Sequence, residues 1–141
     1  MTLTPEQKQL VRSTWALVKP IQEDTARLFY DRLFEIDPST KPLFASTDMA
    51  KQGKKLMQTI GVAVAGLERL DAILPAVEAL GRRHVGYGVT EEHYESVGAA
   101  LLWTLEQGLG EEFTPEVEEA WAETYWTLAT VMKGVVAKAA A

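Results

Sequence analysis

The sequence predicts an all-α single domain, and three observations carry that prediction. Apolar residues recur at helical spacing in one segment after another. Helix-start signals punctuate the chain at Thr4-Pro5, Asp37-Pro38, Thr90-Glu91 and Thr114-Pro115. No segment shows the strict apolar–polar alternation of a half-buried strand, and no internal repeat is present. We expect seven to eight helices within residues 1–141, too short and too often broken by proline for an up-and-down four-helix bundle.

The first helix starts at Thr4 as N-cap, with Pro5 at N1 and Gln7 completing a capping box. Leu10, Val11, Trp15 and Val18 supply its apolar stripe, and Pro20 ends it. The second runs from about Ile21 to Glu35. Its apolar residues Ile21, Leu28, Phe29, Leu33 and Phe34, with Tyr30, cover more than half the circumference, so it is expected to lie inside the fold. Asp37-Pro38 begins a helix of a turn or so, cut short by Pro42 and followed by Leu43-Phe44 and a polar connection. The fourth runs from Met49 to Leu67, with Leu56, Ile60, Ala63, Val64 and Leu67 on one face. The next carries His84, with Pro75 expected in its first turn, where proline is tolerated. Thr90, Glu91 and Glu92 open a helix with the strongest periodicity in the chain, Tyr94, Val97, Gly98, Leu101, Leu102 and Leu105, stopped by Gly108 and Gly110. Thr114-Pro115 opens the last. There Val117, Ala120, Trp121, Thr124, Leu128, Val131, Met132 and Val135 carry the face, and fraying is expected from Ala137 to Ala141.

Composition narrows the function. The chain has 141 residues, enough for one substantial core. Cysteine is absent, which removes disulfides, zinc thiolates, iron–sulfur clusters and thiol nucleophiles together. A net charge of −6 argues against nucleic acid as a main partner. No apolar run approaches a membrane span, and the N-terminus lacks the pattern of a signal peptide, so a cytoplasmic location is expected. Between His84 and Met132 there is no Lys or Arg. Lys51, Lys54, Lys55, Arg82 and Arg83 gather in two clusters, which read as solvated surface or as the flanks of a site for an anion such as a carboxylate-bearing cofactor.

Four polar residues stand on apolar stripes. His84 is one of two histidines and shares a helical face with Val77 and Leu80. It is either a core imidazole satisfied by a hydrogen bond or a ligand to a metal or haem iron. Tyr30 lies in the most apolar helix, as a core tyrosine bonded to a carbonyl or as a donor into a cavity. Gln52 precedes Leu56 by one turn, either exposed there or facing the same cavity. Tyr94 opens the strongest apolar stripe, where a partly exposed core tyrosine is the simpler reading. Together they outline one cavity with Phe44, Leu56, Leu80, Val89 and Val97 as walls. One histidine with neutral donors suits zinc poorly. It suits a metal whose other ligands come from a macrocycle, since haem needs only one protein ligand.

With these residues in place the sequence resembles the globin family over essentially its whole length. It is similar to bacterial single-domain globins of the flavohaemoglobin and Vitreoscilla haemoglobin branch. The likeness lies in Leu28-Phe29-Tyr30, Pro42-Leu43-Phe44, Lys55-Leu56-Met57-Gln58, Leu80 to His84, His93-Tyr94 through Gly98, and Ala120-Trp121 through Tyr125. It implies a globin fold around a haem pocket, with haem b as cofactor and His84 as proximal iron ligand. Phe44, Leu56, Leu80, Tyr87, Val89 and Val97 are then cofactor-binding residues. Lys54, Lys55, Arg82 and Arg83 are candidates for the propionates, Lys55 and Arg83 foremost. Tyr30 and Gln52 become distal donors to the ligand, and Tyr94 supports the proximal histidine. Ala26 and Gly53 fall where the second and fourth helices cross closely.

Two departures from the family pattern stand out. Flavohaemoglobins continue into a reductase domain, whereas these 141 residues hold no GxGxxG, and none of that domain is expected within them. They also couple the proximal histidine to a Tyr and a Glu. Tyr94 matches the first, but the second position falls near Val136 and no acid follows Glu123. The resemblance therefore implies a protein that binds, stores or scavenges O₂ at five-coordinate ferrous haem, with NO and CO as further ligands. Nitric oxide dioxygenase activity with a separate external reductase is the alternative, and a haem-based gas sensor the third. A monomer or weak homodimer is expected.

Overall fold

The computed structural model describes the backbone of residues 3–86 and 89–140, and the side chains of residues 3–85 and 89–134. Among these, six α-helices are joined by short connections: α1 (Pro5–Val18), α2 (Gln22–Ile36), α3 (Met49–Ala65), α4 (Leu70–Gly86), α5 (Glu91–Leu109) and α6 (Pro115–Ala140). Local chemistry explains most boundaries. Both bonds of the capping box of α1 form: Gln7 N–H donates to Thr4 Oγ1 at 3.1 Å, and Thr4 N–H donates to Gln7 Oε1 at 3.0 Å. The Asp48 carboxylate caps α3, accepting from the Ala50 and Lys51 amides at 3.0 and 3.3 Å. Gly110, at φ +55°, ends α5 in a backbone conformation that side chains disfavour.

Four expectations change. The short helix after Asp37 is a 3₁₀ segment, Pro38–Phe44, that runs through Pro42. Pro75 lies inside α4, because the helix begins at Leu70. The carbonyl it leaves without an amide belongs to Asp71, which is exposed and can be hydrated. Helix α2 is not enclosed on all sides: Ile21 beside it and Leu28 on it are 39% and 37% exposed, and only Thr25, Ala26, Phe29, Tyr30 and Leu33 are buried. Helix α6 continues to Ala140 rather than fraying from Ala137, and Ala141 lies outside the described residues.

Helix α6 packs against α1, α4 and α5, and α2 packs against α3 and α5. Trp121 on α6 is 2% exposed, and its Nε1–H donates to Thr14 Oγ1 of α1 at 2.9 Å. Burying the indole removes a large apolar area from water, and the threonine satisfies its one polar atom.

Among the described residues, the core has two parts. The larger joins Val11, Trp15, Phe29, Tyr30, Leu33, Leu105 and Trp121, with Phe44, Leu56 and Val97 half-buried at its edge. The smaller joins Tyr94, Ala129 and Met132, with Leu80 and Val89 half-buried against it. Every apolar wall residue expected from the sequence and described here is thus half-buried on one cluster or the other. Among the described residues, no helix is long and apolar enough to cross a membrane.

Candidate functional site

His84 stands near the end of α4, half-buried, one turn beyond Leu80. Its Nδ1 lies 2.8 Å from the Leu80 carbonyl oxygen. A carbonyl only accepts, so Nδ1 carries the proton and the neutral ring has its lone pair on Nε2, the form in which imidazole ligates a metal. Burial holds the imidazole pKa below the ordinary histidine value. The Leu80 bond opposes that shift, and the Arg83 charge adds to it. The ring stacks on Tyr94 at 6.5 Å between centroids and 26° between planes.

Tyr94 is 4% exposed, so it is buried and not the partly exposed residue of the simpler reading. Burial raises its phenol pKa. Its hydroxyl is buried without a hydrogen-bond partner among the described residues. Behind it, the Tyr125 hydroxyl donates to the Tyr94 carbonyl at 2.6 Å. Burial, with Tyr94 adding, drives the Tyr125 phenol pKa well above its usual range. Gly98 makes room for that ring, since a Cβ there would stand 2.9 Å from Tyr125 Cε2.

The second group is on α2, α3 and the 3₁₀ segment. The Gln52 Nε2–H donates to Tyr30 Oη at 3.2 Å. Tyr30 is 6% exposed, with Phe29 and Phe44 edge-on to its ring at 4.9 and 5.3 Å. Burial raises its pKa and Gln52 partly offsets this, so the hydroxyl keeps its proton. Gly53, next to Gln52, lets α3 approach α2: a Cβ there would stand 3.0 Å from Ala26 Cβ. The structure therefore places Tyr30, Gln52 and Phe44 together beside the larger cluster. It places His84, Leu80 and Tyr94 together beside the smaller one. Lys55 and Arg83 are exposed, as are Lys51, Lys54 and Arg82. Tyr87 lies outside the described residues, as do the side chains of Val135 and Val136.

The donor set decides what kind of metal fits. Among the described residues, no group of three or more His, Cys, Asp or Glu could hold an ion. A metal bound by His84 would take its remaining ligands from outside the protein, and the half-buried apolar walls suit a flat apolar ring that brings them. Sequence reasoning missed two residues around this site. Tyr125 carries no local signal. His93 does: it stands three residues after Thr90, at the capping-box position usually held by Glu or Gln, and its Nδ1 accepts the Thr90 amide at 3.0 Å.

The chain resembles known proteins in sequence and in fold. The family model described as Globin matches residues 27–132. A flavohemoprotein from Xylella fastidiosa is 34% identical over 135 residues, covering 94% of this chain and 34% of the relative. One from Bordetella parapertussis is 36% identical over 136 residues, covering 94% of this chain and 33% of the relative. The chain thus spans about a third of the length of these relatives. Among solved structures, a bacterial globin from Campylobacter jejuni superposes with a TM-score of 0.85 at 29% identity, covering 96% of this chain and 97% of that one.

Proposed function

The chain belongs to the globin family, and we propose that it is a reversible O₂-binding protein that carries haem b on His84. Haem binding follows from the family, and the fold is the globin fold. The observation that carries the O₂ reading is the 3.2 Å bond from Gln52 to Tyr30. Because Tyr30 Oη accepts that proton, its own proton is available to another acceptor. Haem b, when bound, would supply a ferrous iron able to take O₂, NO or CO.

The protein's own groups do the rest. His84 is held in the ligating tautomer by the Leu80 carbonyl. Phe44, Leu56 and Val97 of the larger cluster, with Leu80 and Val89 of the smaller, would exclude water from the ring. Lys55 and Arg83 are exposed, and their charges would pair with the cofactor carboxylates. Tyr30 and Gln52 donate to a diatomic that draws negative charge. A hydrogen bond to a charged partner contributes about 1.5–3 kcal/mol, so each donor slows O₂ release by roughly tenfold or more. CO draws less charge and gains less.

Repeated conversion of NO to nitrate, with a separate reductase supplying electrons, is the competing reading and rests on the likeness to flavohemoproteins. The acceptor for His84 Nδ1 favours simple binding: a backbone carbonyl raises ligand basicity less than a carboxylate does. The visible spectrum of the haem-loaded protein and the O₂ release rate of Tyr30→Phe test the O₂ reading. Multiple NO turnovers with added reductase would support the enzyme instead.

A further inference from the structure

A dense polar network lies outside the cofactor slot, around Asp37. The Asp37 carboxylate accepts from the Ser39 amide at 3.2 Å and from the Ser39 hydroxyl at 2.5 Å on Oδ1, and from the Ser96 hydroxyl at 2.6 Å on Oδ2. Its backbone carbonyl accepts from the Thr40 hydroxyl at 2.7 Å. Ser39 Oγ also lies 3.2 Å from His93 Nε2.

The proton directions are fixed by the ends of this chain. His93 Nδ1 accepts the Thr90 amide, so the neutral ring carries its proton on Nε2. Nε2–H then donates to Ser39 Oγ, whose own proton goes to Asp37. A carboxylate bonded to the serine, with the imidazole as donor, is the reverse of the order that activates a nucleophile. The network is therefore not a hydrolytic centre, and its consequence is mechanical.

We propose that Asp37, with Ser39, His93 and Ser96, is a positioning latch that clamps the Phe44 segment onto α5 and so fixes the geometry of the cofactor slot. The proposal rests on the haem reading above only for what the latch positions. Two of its bonds span 59 and 54 residues, from the 3₁₀ segment to the first turns of α5. The segment ends at Phe44, which stands edge-on to Tyr30. The α5 turns carry Tyr94, stacked on His84, and Val97, a wall of the slot. The latch thus joins the segment behind the distal donor to the helix behind the proximal ligand. The Asp37 carboxylate is ionised, which makes its bonds from Ser39 and Ser96 stronger than the neutral His93–Ser39 bond.

Ser96→Ala tests it best, because it removes one bond between elements and leaves Asp37 able to cap its own segment. Ser96→Thr keeps the hydroxyl and should restore wild-type behaviour. The readouts are the rate of haem transfer to excess apomyoglobin and the C–O stretching band of the CO-treated ferrous protein. We expect Ser96→Ala to speed haem transfer by about tenfold and to broaden or split the C–O band. In a Tyr30→Phe background the band should no longer respond to Ser96→Ala, since the distal reporter is gone. Unchanged haem transfer with an unchanged band overturns the latch, and so does a failure of Ser96→Thr to rescue. Amide exchange separates this from failure of the haem reading. If the chain takes up no haem, faster exchange across Pro38–Phe44 in Ser96→Ala still supports the latch, and unchanged exchange overturns it.

Discussion

Gly53 and Ala26 meet where α3 crosses α2, so closely that a Cβ on Gly53 would lie 3.0 Å from the Ala26 Cβ. The crossing sets the distance between Gln52 and Tyr30, which sit on the two helices and share a 3.2 Å hydrogen bond. Overpacking a tight contact costs about 1–3 kcal/mol. Gly53→Ala should therefore lower the urea midpoint by that equivalent and raise the O₂ release rate. Gly53→Ala with wild-type stability and wild-type release would mean that the helices are free to separate.

Tyr30→Phe removes the hydroxyl and keeps the ring between Phe29 and Phe44. Stopped-flow measurement should show O₂ leaving about ten times faster or more, with CO release changed much less. An equal effect on both ligands would point to packing, and no effect on O₂ would remove Tyr30 from the mechanism.

Thr14→Val leaves the buried Trp121 Nε1–H without its acceptor. The expected loss is about 1–3 kcal/mol in chemical denaturation, with little change in the visible spectrum, because the pair lies in the larger core away from His84. A spectrum that shifts as much as the stability falls would contradict this separation.

Acid should weaken the Asp37 network in a defined direction. Hydrogen bonds from Ser39 and Ser96 hold the Asp37 carboxyl below its ordinary value in the folded protein. A group depressed on folding contributes stability that is present above the unfolded pKa, about 3.9 for Asp, and is lost as pH falls through the folded one. Ser96→Ala should make the acid branch of the stability–pH curve shallower, read as thermal midpoints between neutral pH and about pH 3. Parallel curves for the two proteins would exclude the carboxylate from that branch.

What was legible in the sequence was what local pattern encodes. Thr4-Pro5-Glu6-Gln7 specifies a capping box within four residues, and it forms. Tyr30, Gln52 and His84 stand out because polar groups interrupt apolar faces, and the fold groups the first two with Phe44 and the third with Leu80 and Tyr94. Ala26 and Gly53 were legible only through family likeness, since a small residue does not announce which helix crosses it. The Asp37 network was not legible, because Asp37 finds Ser96 across 59 residues and no spacing rule reaches that far. Leu28 misled for the opposite reason. Periodicity says that a face is apolar, and the neighbours available to cover it leave Leu28 37% exposed.

The central claim is that His84 is the protein's bond to the cofactor iron, and replacing it tests that most directly. In His84→Ala, the ferric, deoxy and CO spectra of the haem-loaded protein should lose the signature of a single axial histidine, and added imidazole should restore it. Spectra that stay the same without the imidazole side chain, with the pigment still bound, would contradict the account.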